Sequence, residues 1–333
     1  MYSQATMMFL LVESPLHAGS GRGLGPVDLP IQRERTTGYP LLQASGLKGK
    51  LRALGYRQPA FESSFQAHVT RERERQPDAD DMVVKRSARR SAAQELGVEA
   101  VFGPDTEGAA DHAGAVAPGD VRLLLMPVRS LAGVFAWTTS ANVLARFKRD
   151  WAAAFQPGLD WRLPEFNAQQ ALVAPGSSVV NGSQLVLEEL TYTAIANPVV
   201  NTIGDWLAAA ALPLGAEYDY WRQTLPTRLV ILPETEFRDF TLNSTEVVTR
   251  VRLDDATKTV ENGALWTEES LPVDTLLYAP LFASAPRRVV PKIVDSPAAV
   301  LNRVREWTPA RMQLGGDETV GHGWVAVRFG KER

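Results

Sequence analysis

The sequence contains no cysteine among its 333 residues. This absence excludes disulfide bonds and thiolate zinc sites, and it fits a reducing compartment, so we expect a cytoplasmic protein. Long apolar runs are also missing. The amino-terminal stretch MYSQATMMFLLVESP has neither the basic flank of a signal peptide nor the length of a membrane span. We therefore expect no membrane among its partners.

A marked net charge is missing as well, although the charge is unevenly distributed. The 35 basic and 38 acidic residues give a formal net charge of -3, which excludes an overall basic nucleic-acid-binding protein. Residues 22–57 nevertheless carry a net charge of +5, and residues 234–274 carry -6. A nucleic-acid-binding surface, if the protein has one, must therefore be local, and the first of these two segments is the basic one.

Strand and helix patterns alternate irregularly along the chain. MMFLLV and VRLLLMPVRS predict strands, SGLKGKLRALGY predicts a helix with Ser45 at its N-cap, and QLVLEELTYTA predicts a further strand. The irregular spacing disfavours repeated βαβ units and favours an α+β fold around an antiparallel sheet, with a ferredoxin-like core. We expect one domain over residues 1–333, in which the charge run and the Gly- and Pro-rich stretch of residues 57–118 form an insertion.

Two glycine-rich segments are the most distinctive local feature. LHAGSGRGLGPVDLP carries Gly21 and Gly23 between His17 and Asp28, and GGDETVGHG begins with Gly315 and Gly316. Each glycine costs about 0.5–1 kcal/mol relative to alanine, so such runs indicate unusual dihedral angles or a close approach to a ligand. The G-x-G spacing does not predict a dinucleotide site, because no helix follows the glycines directly.

Several residues of these segments can carry chemistry. His17 and Asp28 could each move a proton or bind a metal ion, but an aspartate before a turn also caps it and a lone histidine is usually structural. The basic helix that follows could bind phosphates or could be a solvated helix face. The residues alone therefore leave open an RNA-binding protein and a small-molecule metal hydrolase.

Four blocks of the sequence resemble one known family, in that family's order. LHAGSGRGLGPVDLPIQRERTTGYPLLQASGLKGKLR, LLLMPVRSLAGVFAWTTSANVLARFKRD, KTVENGALWTEESLP and GGDETVGHGWVAVRF are similar to the backbone RAMP subunits of type III-B CRISPR effectors, the fourth protein of the Cmr complex. The resemblance implies a ferredoxin-like (RRM-type) palm, an inserted helical region at about 57–118 and a β-hairpin thumb at about 235–275. It implies four partners: CRISPR RNA, target single-stranded RNA, other Cmr subunits, and further copies of the chain in a filament.

The resemblance also implies an activity and its residues. The family cleaves target RNA at regular intervals within the assembled complex, by 2′-hydroxyl attack that leaves a 2′,3′-cyclic phosphate, with a divalent cation, Mg²⁺. Asp28 and His17 match residues of the cleavage site, and Glu268 of GALWTEE fits a third, with Ser270 where the family has an aromatic residue. The RNA-binding residues we predict are Gly21, Gly23, Ser45, Lys48, Lys50, Arg52, Arg129, Gly315, Gly316 and Trp266. The alternative function is a RAMP-fold RNA-binding scaffold that does not cleave.

Overall fold

The computed structural model describes residues 2–23, 25–105, 111–154, 158–290 and 292–330. Its helices are α1 (Ala44–Tyr56), α2 (Pro59–Arg75), α3 (Asp81–Glu95), α4 (Val98–Phe102), α5 (Ala141–Ala154), α6 (Pro198–Ala210), α7 (Asp219–Arg228), α8 (Glu234–Asn243) and α9 (Pro297–Trp307). Its strands are β1 (Gln4–Val12), β2 (Leu41–Leu42), β3 (Val116–Pro118), β4 (Val121–Ser130), β5 (Val134–Ser140), β6 (Gln170–Val173), β7 (Val180–Asn181), β8 (Gln184–Leu187), β9 (Leu190–Ala196), β10 (Leu229–Leu232), β11 (Glu246–Leu253), β12 (Val260–Ser270), β13 (Leu276–Ala283), β14 (Arg311–Gln313) and β15 (Trp324–Phe329). None of the described helices combines the length and apolarity that crossing a bilayer requires.

Residue packing divides the chain into two compact units that interleave in sequence. The first consists of the described residues of Met1–Thr6, Ala44–Gly119 and Pro280–Pro309. The second consists of those of Met7–Gln43, Asp120–Ala279 and Ala310–Arg333. Each unit therefore depends on segments that are far apart along the chain.

The first unit is mainly helical. Helix α1 buries Leu47, Leu51 and Gly55, and Gly55 lies against the ring of Trp307 in α9. Helices α2 and α3 pack together, and α3 buries a stripe that includes Val84 and residues 88 and 92 at helical spacing. The last residues of β13 pair with β3 in the antiparallel sense.

Helix α1 begins two residues earlier than an N-cap at Ser45 predicts. It starts at Ala44, so Ser45 lies exposed in the first turn and is not the N-cap. The main-chain N–H of Gln43 donates to the side-chain Oε1 of Gln32 over 2.9 Å. This contact fixes the chain just before the helix, and a pattern of helix formers does not reveal a partner so far back in the sequence.

The second unit is built on a large, mainly antiparallel sheet. Its strand order is β14-β15-β1-β13-β4-β5-β10-β6-β9-β8-β7, with β2 on β4. The pairs β5–β10 and β6–β9 are parallel. The predicted mixture of helices with an antiparallel sheet is confirmed, but QLVLEELTYTA forms two strands. Leu187 pairs with Leu190 around a tight turn in which Glu188 has a φ of 48°.

Helix α5 covers one face of this sheet with aromatic packing. Phe147 is fully buried and its ring centroid lies 5.0 Å from that of Tyr278 and 6.0 Å from that of Phe9. Asp150, one turn further along α5, accepts hydrogen bonds from Arg122 over 2.7 Å and from the hydroxyl of Tyr278 over 3.0 Å. Apolar contact and a paired buried carboxylate together hold the helix on the sheet.

Strands β11 and β12 form a separate antiparallel hairpin in the second unit. Thr249 lies opposite Thr267, and Val251 lies opposite Leu265. The last three residues of β12, 268–270, are buried, whereas Leu265 is 64% exposed. The hairpin therefore has a buried base, where the candidate site lies, and an exposed end.

Candidate active site

The loop with the first glycine-rich segment lies along the edge of β12 that β11 leaves open. On its outward path Leu16 exchanges two main-chain hydrogen bonds with Leu271, of 2.9 and 3.0 Å. On its return path Leu29 donates to the carbonyl of Thr267 and accepts from the N–H of Glu269, both over 3.0 Å. Both arms of the loop are therefore fixed on one strand, and Gly21 and Gly23 lie at the tip between them.

Glu269 fixes the returning arm of the loop. Its side chain is 5% exposed, and its Oε2 accepts from the N–H of Ile31 over 3.0 Å. Its Oε1 accepts from Arg33 over 2.5 Å and from the hydroxyl of Thr245 over 2.8 Å. The other terminal nitrogen of Arg33 donates to two main-chain carbonyls. The guanidinium of Arg33 is therefore used in hydrogen bonds within the protein.

Asp28 is exposed at the start of the returning arm. Its Oδ2 accepts from the main-chain N–H of Thr267 over 2.8 Å and from the Thr267 hydroxyl over 2.9 Å. These hydrogen bonds, first the main-chain one and then the side-chain one, lower the pKa of Asp28 below its ordinary value. The carboxylate is therefore ionised at neutral pH and has a defined orientation at the protein surface.

His17 lies on the outward arm and is buried among glycines. Its Nδ1 is 2.7 Å from the carbonyl oxygen of Glu269, so Nδ1 carries a proton and donates to that carbonyl. A methyl group at Gly19 would overlap Nε2, and one at Gly315 would overlap the carbonyl oxygen of His17. The N–H of Gly316 donates to that carbonyl over 2.8 Å. Close packing against His17 thus explains three of the glycines.

The opposite face of β12 carries a second set of polar groups. Successive side chains of a strand point to opposite faces, so Glu268 points away from the face of Thr267 and Glu269. Its Oε2 lies 2.8 Å from Nε of Arg250, and its Oε1 lies 3.7 Å from Nδ1 of His322. Both His322 and Asp317 come from the second glycine-rich segment. The two glycine-rich segments therefore meet the same strand.

The pKa values of the two carboxyl groups of this set are shifted in opposite directions. Glu268 is 3% exposed; burial first and then its contact with Asp317 raise its pKa above the ordinary value. The pKa of Asp317 is lowered, first by the hydrogen bond from Glu268, with Arg250 and the nearby histidines adding to the effect. The buried Glu268 therefore holds a proton more tightly than Asp317 does.

Glu268, Asp317 and His322 have the composition of a cation site. One ligand atom from each lies within 4.8 Å of the others. Two carboxylates and an imidazole suit a divalent ion that accepts nitrogen as well as oxygen, whereas Mg²⁺ prefers oxygen ligands and water. In this structure the guanidinium of Arg250 balances the charge of these carboxylates.

The other predicted binding residues are dispersed. Ser45, Lys48, Lys50 and Arg52 belong to α1 of the first unit. One terminal nitrogen of Arg52 donates to three main-chain carbonyls at and just beyond the end of α4, at 2.8–3.3 Å. In the second unit Arg129 forms an ion pair of 2.9 Å with Glu188, and Trp266 is half-buried opposite Arg250. Their binding of RNA remains a prediction.

Four residues of the site escape analysis of the sequence. Thr267 and Arg250 lie in the predicted hairpin, but neither has a motif that signals its role. Asp317 and His322 lie in the second glycine-rich segment, where polar residues between glycines give the same signal that identifies His17 and Asp28 in the first. That shared pattern is the one clue the sequence contains.

Comparison with known protein families assigns the chain to a superfamily. The family model for the RAMP superfamily matches residues 9–326. The chain belongs to the RAMP superfamily. Within it, the chain is 34% identical over 325 residues to the CRISPR system Cmr endoribonuclease Cmr4 of Pyrococcus furiosus, a match that covers 97% of this chain and 95% of the relative.

Solved structures of RAMP proteins agree in fold. The crystal structure of oligomeric Cmr4 from Pyrococcus furiosus superimposes with a TM-score of 0.66 at 26% identity, covering 99% of each chain. A cryo-EM structure of the type III-B Cmr-beta complex bound to cognate target RNA contains a chain with a TM-score of 0.64 at 20% identity, covering 98% of both chains. The mixed α/β fold described above is thus that of a RAMP protein.

The packing of Gly315 on His17 gives a first prediction. Gly315 has a φ of 81° and no room for a methyl group, whereas Gly321 in the same segment has a φ of 87° and open space around it. Alanine at either position incurs the backbone penalty of about 1 kcal/mol. We expect Gly315→Ala to lower the free energy of unfolding by at least about 1 kcal/mol more than Gly321→Ala, measured by urea unfolding of the full chain. Equal losses would contradict this packing.

Proposed function

We propose that this RAMP protein is the backbone subunit of a type III-B CRISPR ribonucleoprotein that binds CRISPR RNA and cleaves complementary target RNA at regular intervals. The observation that carries the proposal is the exposed, ionised carboxylate of Asp28, fixed on β12 by Thr267. The 34% identity to a protein named an endoribonuclease supports it. A scaffold that only binds RNA, the alternative, has no need of an oriented carboxylate that repels phosphates.

The chemistry we propose is transesterification by the RNA's own 2′-hydroxyl. The 2′-oxygen bonds to phosphorus, the bond to the 5′-oxygen breaks, the 2′-oxygen loses its proton and the 5′-oxygen gains one, which leaves a 2′,3′-cyclic phosphate and a 5′-hydroxyl. A carboxylate with a lowered pKa is a weak base. Asp28 therefore contributes chiefly by accepting a hydrogen bond from the 2′-hydroxyl and aligning it with phosphorus.

His17 and Glu268, the other two residues predicted for the cleavage site, are buried, whereas Asp28 is exposed. They are 9% and 3% exposed, so in the free chain neither presents an open surface to RNA. A divalent cation, if one takes part, would be held by Glu268, Asp317 and His322 and would supply positive charge to the site. Mg²⁺ remains the ion expected from the resemblance.

We propose that the sheet of the second unit is the ferredoxin-like palm and that the hairpin β11–β12 is the thumb that separates target bases. Val251 and Leu265 support this role, since they face each other across the hairpin with exposed fractions of 46% and 64%. They lie on the same face as Thr267, two positions nearer the turn. Aliphatic side chains at this place can pack against the base next to the scissile phosphate. Trp266, half-buried on the other face, remains a second predicted contact.

For the guide RNA we propose the exposed first half of α1. Ser45 and Gly49 are exposed, and Lys48 and Lys50 are half-buried beside them. Burial, with a smaller effect of Arg52, lowers the pKa of Lys48. Small residues allow the phosphate backbone to approach the helix, and the ammonium groups supply charge. Further copies of the chain and the other Cmr subunits complete the assembly we propose, consistent with the oligomeric Cmr4 crystal structure.

Substitution of Asp28 tests cleavage directly. In the complex assembled with guide RNA, we expect Asp28→Asn to slow cleavage of labelled target RNA by about 10²- to 10⁴-fold, because the carboxylate that accepts a hydrogen bond from the 2′-hydroxyl and aligns it is lost. Target affinity should stay equal or rise slightly, since one negative charge is removed. Single-turnover gels and filter binding measure the two quantities.

Asp160→Asn is the matched control, because this carboxylate is exposed outside the site. Undiminished cutting by Asp28→Asn would refute the catalytic role. Chelation of divalent ions in the wild-type complex tests the cation: unchanged cutting in excess chelator would exclude its participation, and cyclic-phosphate ends on the products would establish attack by the 2′-hydroxyl.

The hairpin face provides a further test. We expect Val251→Thr with Leu265→Thr to slow target cleavage by about tenfold while leaving guide binding intact, because threonine keeps the strand but removes apolar contact with a base. Leu190→Thr in β9, an exposed leucine of a different hairpin, is the control and should cleave normally. Normal cleavage by the double variant together with slow cleavage by Trp266→Ala would assign the contact with the target base to Trp266 instead.

Guide binding by α1 is tested through its salt dependence. We expect Lys48→Ala with Lys50→Ala to weaken binding of every guide sequence alike and to flatten the plot of log affinity against log salt by roughly 0.7 per lost phosphate contact. Fluorescence anisotropy at several salt concentrations measures both effects. The control, Lys85→Ala with Arg90→Ala on α3, removes two exposed charges elsewhere in the first unit. Identical slopes for wild type and the α1 variant would contradict the assignment.

A further inference from the structure

The side chain of Thr267 forms a closed pair of hydrogen bonds with Asp28 across 239 positions of sequence. Its hydroxyl donates to Oδ2 of Asp28 over 2.9 Å and at the same time accepts from the main-chain N–H of Asp28, also over 2.9 Å. The main-chain N–H of Thr267 gives Oδ2 its second donor at 2.8 Å. Resting on the function proposed above, we propose that Thr267 is the positioning residue that sets the orientation of the Asp28 carboxylate for cleavage.

The carboxylate depends on this residue because its other surroundings are open. Among the residues the structure describes, no other side chain hydrogen-bonds to Asp28. At the described part of the loop tip the N–H of Gly23 donates to the carbonyl of Asp28 over 2.9 Å, and a methyl group at Gly25 would meet nothing within 4 Å. Without the Thr267 hydroxyl, an exposed aspartate in such a loop would sample several rotamers.

The arrangement also distinguishes the two carboxylate oxygens. Oδ2 receives both donors of Thr267, and no described residue hydrogen-bonds to Oδ1. A hydroxyl of bound RNA therefore meets Oδ1, whose direction is fixed once Oδ2 is held. A serine hydroxyl can make the same two bonds, because both serine and threonine carry one donor and acceptor oxygen on Cβ. Valine has the shape of threonine and can make neither.

Orientation of the carboxylate and attachment of the loop are carried by different side chains. Glu269, on the same face of β12, binds Ile31 and Arg33 of the returning arm. The main-chain bond from Leu29 to the carbonyl of Thr267 does not involve the hydroxyl. Loss of the hydroxyl therefore leaves the loop attached and affects chiefly the carboxylate, which separates a positioning role from a structural one.

The test compares Thr267→Val and Thr267→Ser in the assembled ribonucleoprotein. Single-turnover cleavage should fall by about 10- to 100-fold in Thr267→Val, since a small misplacement of a reacting group has effects of this size. Target affinity should stay within about twofold of wild type, and Thr267→Ser should restore most of the rate. Thr191→Val, which changes an exposed strand threonine of β9 in the same way, should cleave at the wild-type rate.

A double-mutant cycle with Asp28→Asn decides whether Thr267 acts through the carboxylate. If it does, Thr267→Val slows the wild type but does not slow Asp28→Asn further. An equal loss in both backgrounds, a wild-type rate for Thr267→Val, or a Thr267→Ser variant as slow as Thr267→Val would each overturn the positioning role. If valine prevents assembly, Thr267→Ala also lacks the hydroxyl and must show the same loss. Wild-type cutting by Asp28→Asn would instead refute the proposed function itself.

Discussion

The attachment of one loop to the open edge of β12 determines where the functional side chains of this protein lie. Glu269 is central to it: its N–H holds Leu29, its carbonyl orients the ring of His17, and its carboxylate binds Ile31 and Arg33. A buried carboxylate is tolerated only when charge and hydrogen bonds compensate it, and removal of one partner of such a pair commonly costs about 3–5 kcal/mol. The same compensation that stabilises Glu269 thus fixes the geometry of the neighbouring His17 and Asp28.

Two carboxyl groups close to β12, Asp28 of the loop and Glu268 of the strand, have pKa values shifted in opposite directions because their environments differ. Asp28 is exposed and receives two donors, which lower its pKa, whereas Glu268 is buried beside Asp317, which raises its pKa. Thr267, which binds Asp28, and Glu268 are adjacent in the strand but point to opposite faces, so an exposed and a buried environment lie one residue apart.

The sequence alone reveals about half of this site, and the reason is physical. His17 and Asp28 stand out because glycines surround them, and glycine runs indicate close backbone packing, which the structure shows around His17. Thr267 could not be found, since its significance arises from pairing with a residue far away in sequence. The charge count is likewise an incomplete guide to a phosphate-binding surface. Arg33 and Arg52 contribute to the basic segment, yet both donate to main-chain carbonyl groups of the protein itself. The alternating fold pattern is recognisable, but the turn between β8 and β9 consists of Glu188 and Glu189, and no Gly, Asn or Pro marks it in the sequence.

The position of β1 has a consequence for how the protein is made. Met7–Val12 of this strand lie between β13 and β15, and β15 pairs with residues 8–12. The first strand of the second unit therefore cannot pair until β13 and β15, which are synthesised late, have left the ribosome. The same holds for the pairing of Asp28 with Thr267. Contacts of such high sequence separation form slowly, because chain entropy must be lost before they are made. In a nascent chain Asp28 consequently lacks its partner Thr267, and the site takes shape only when the later strands have emerged.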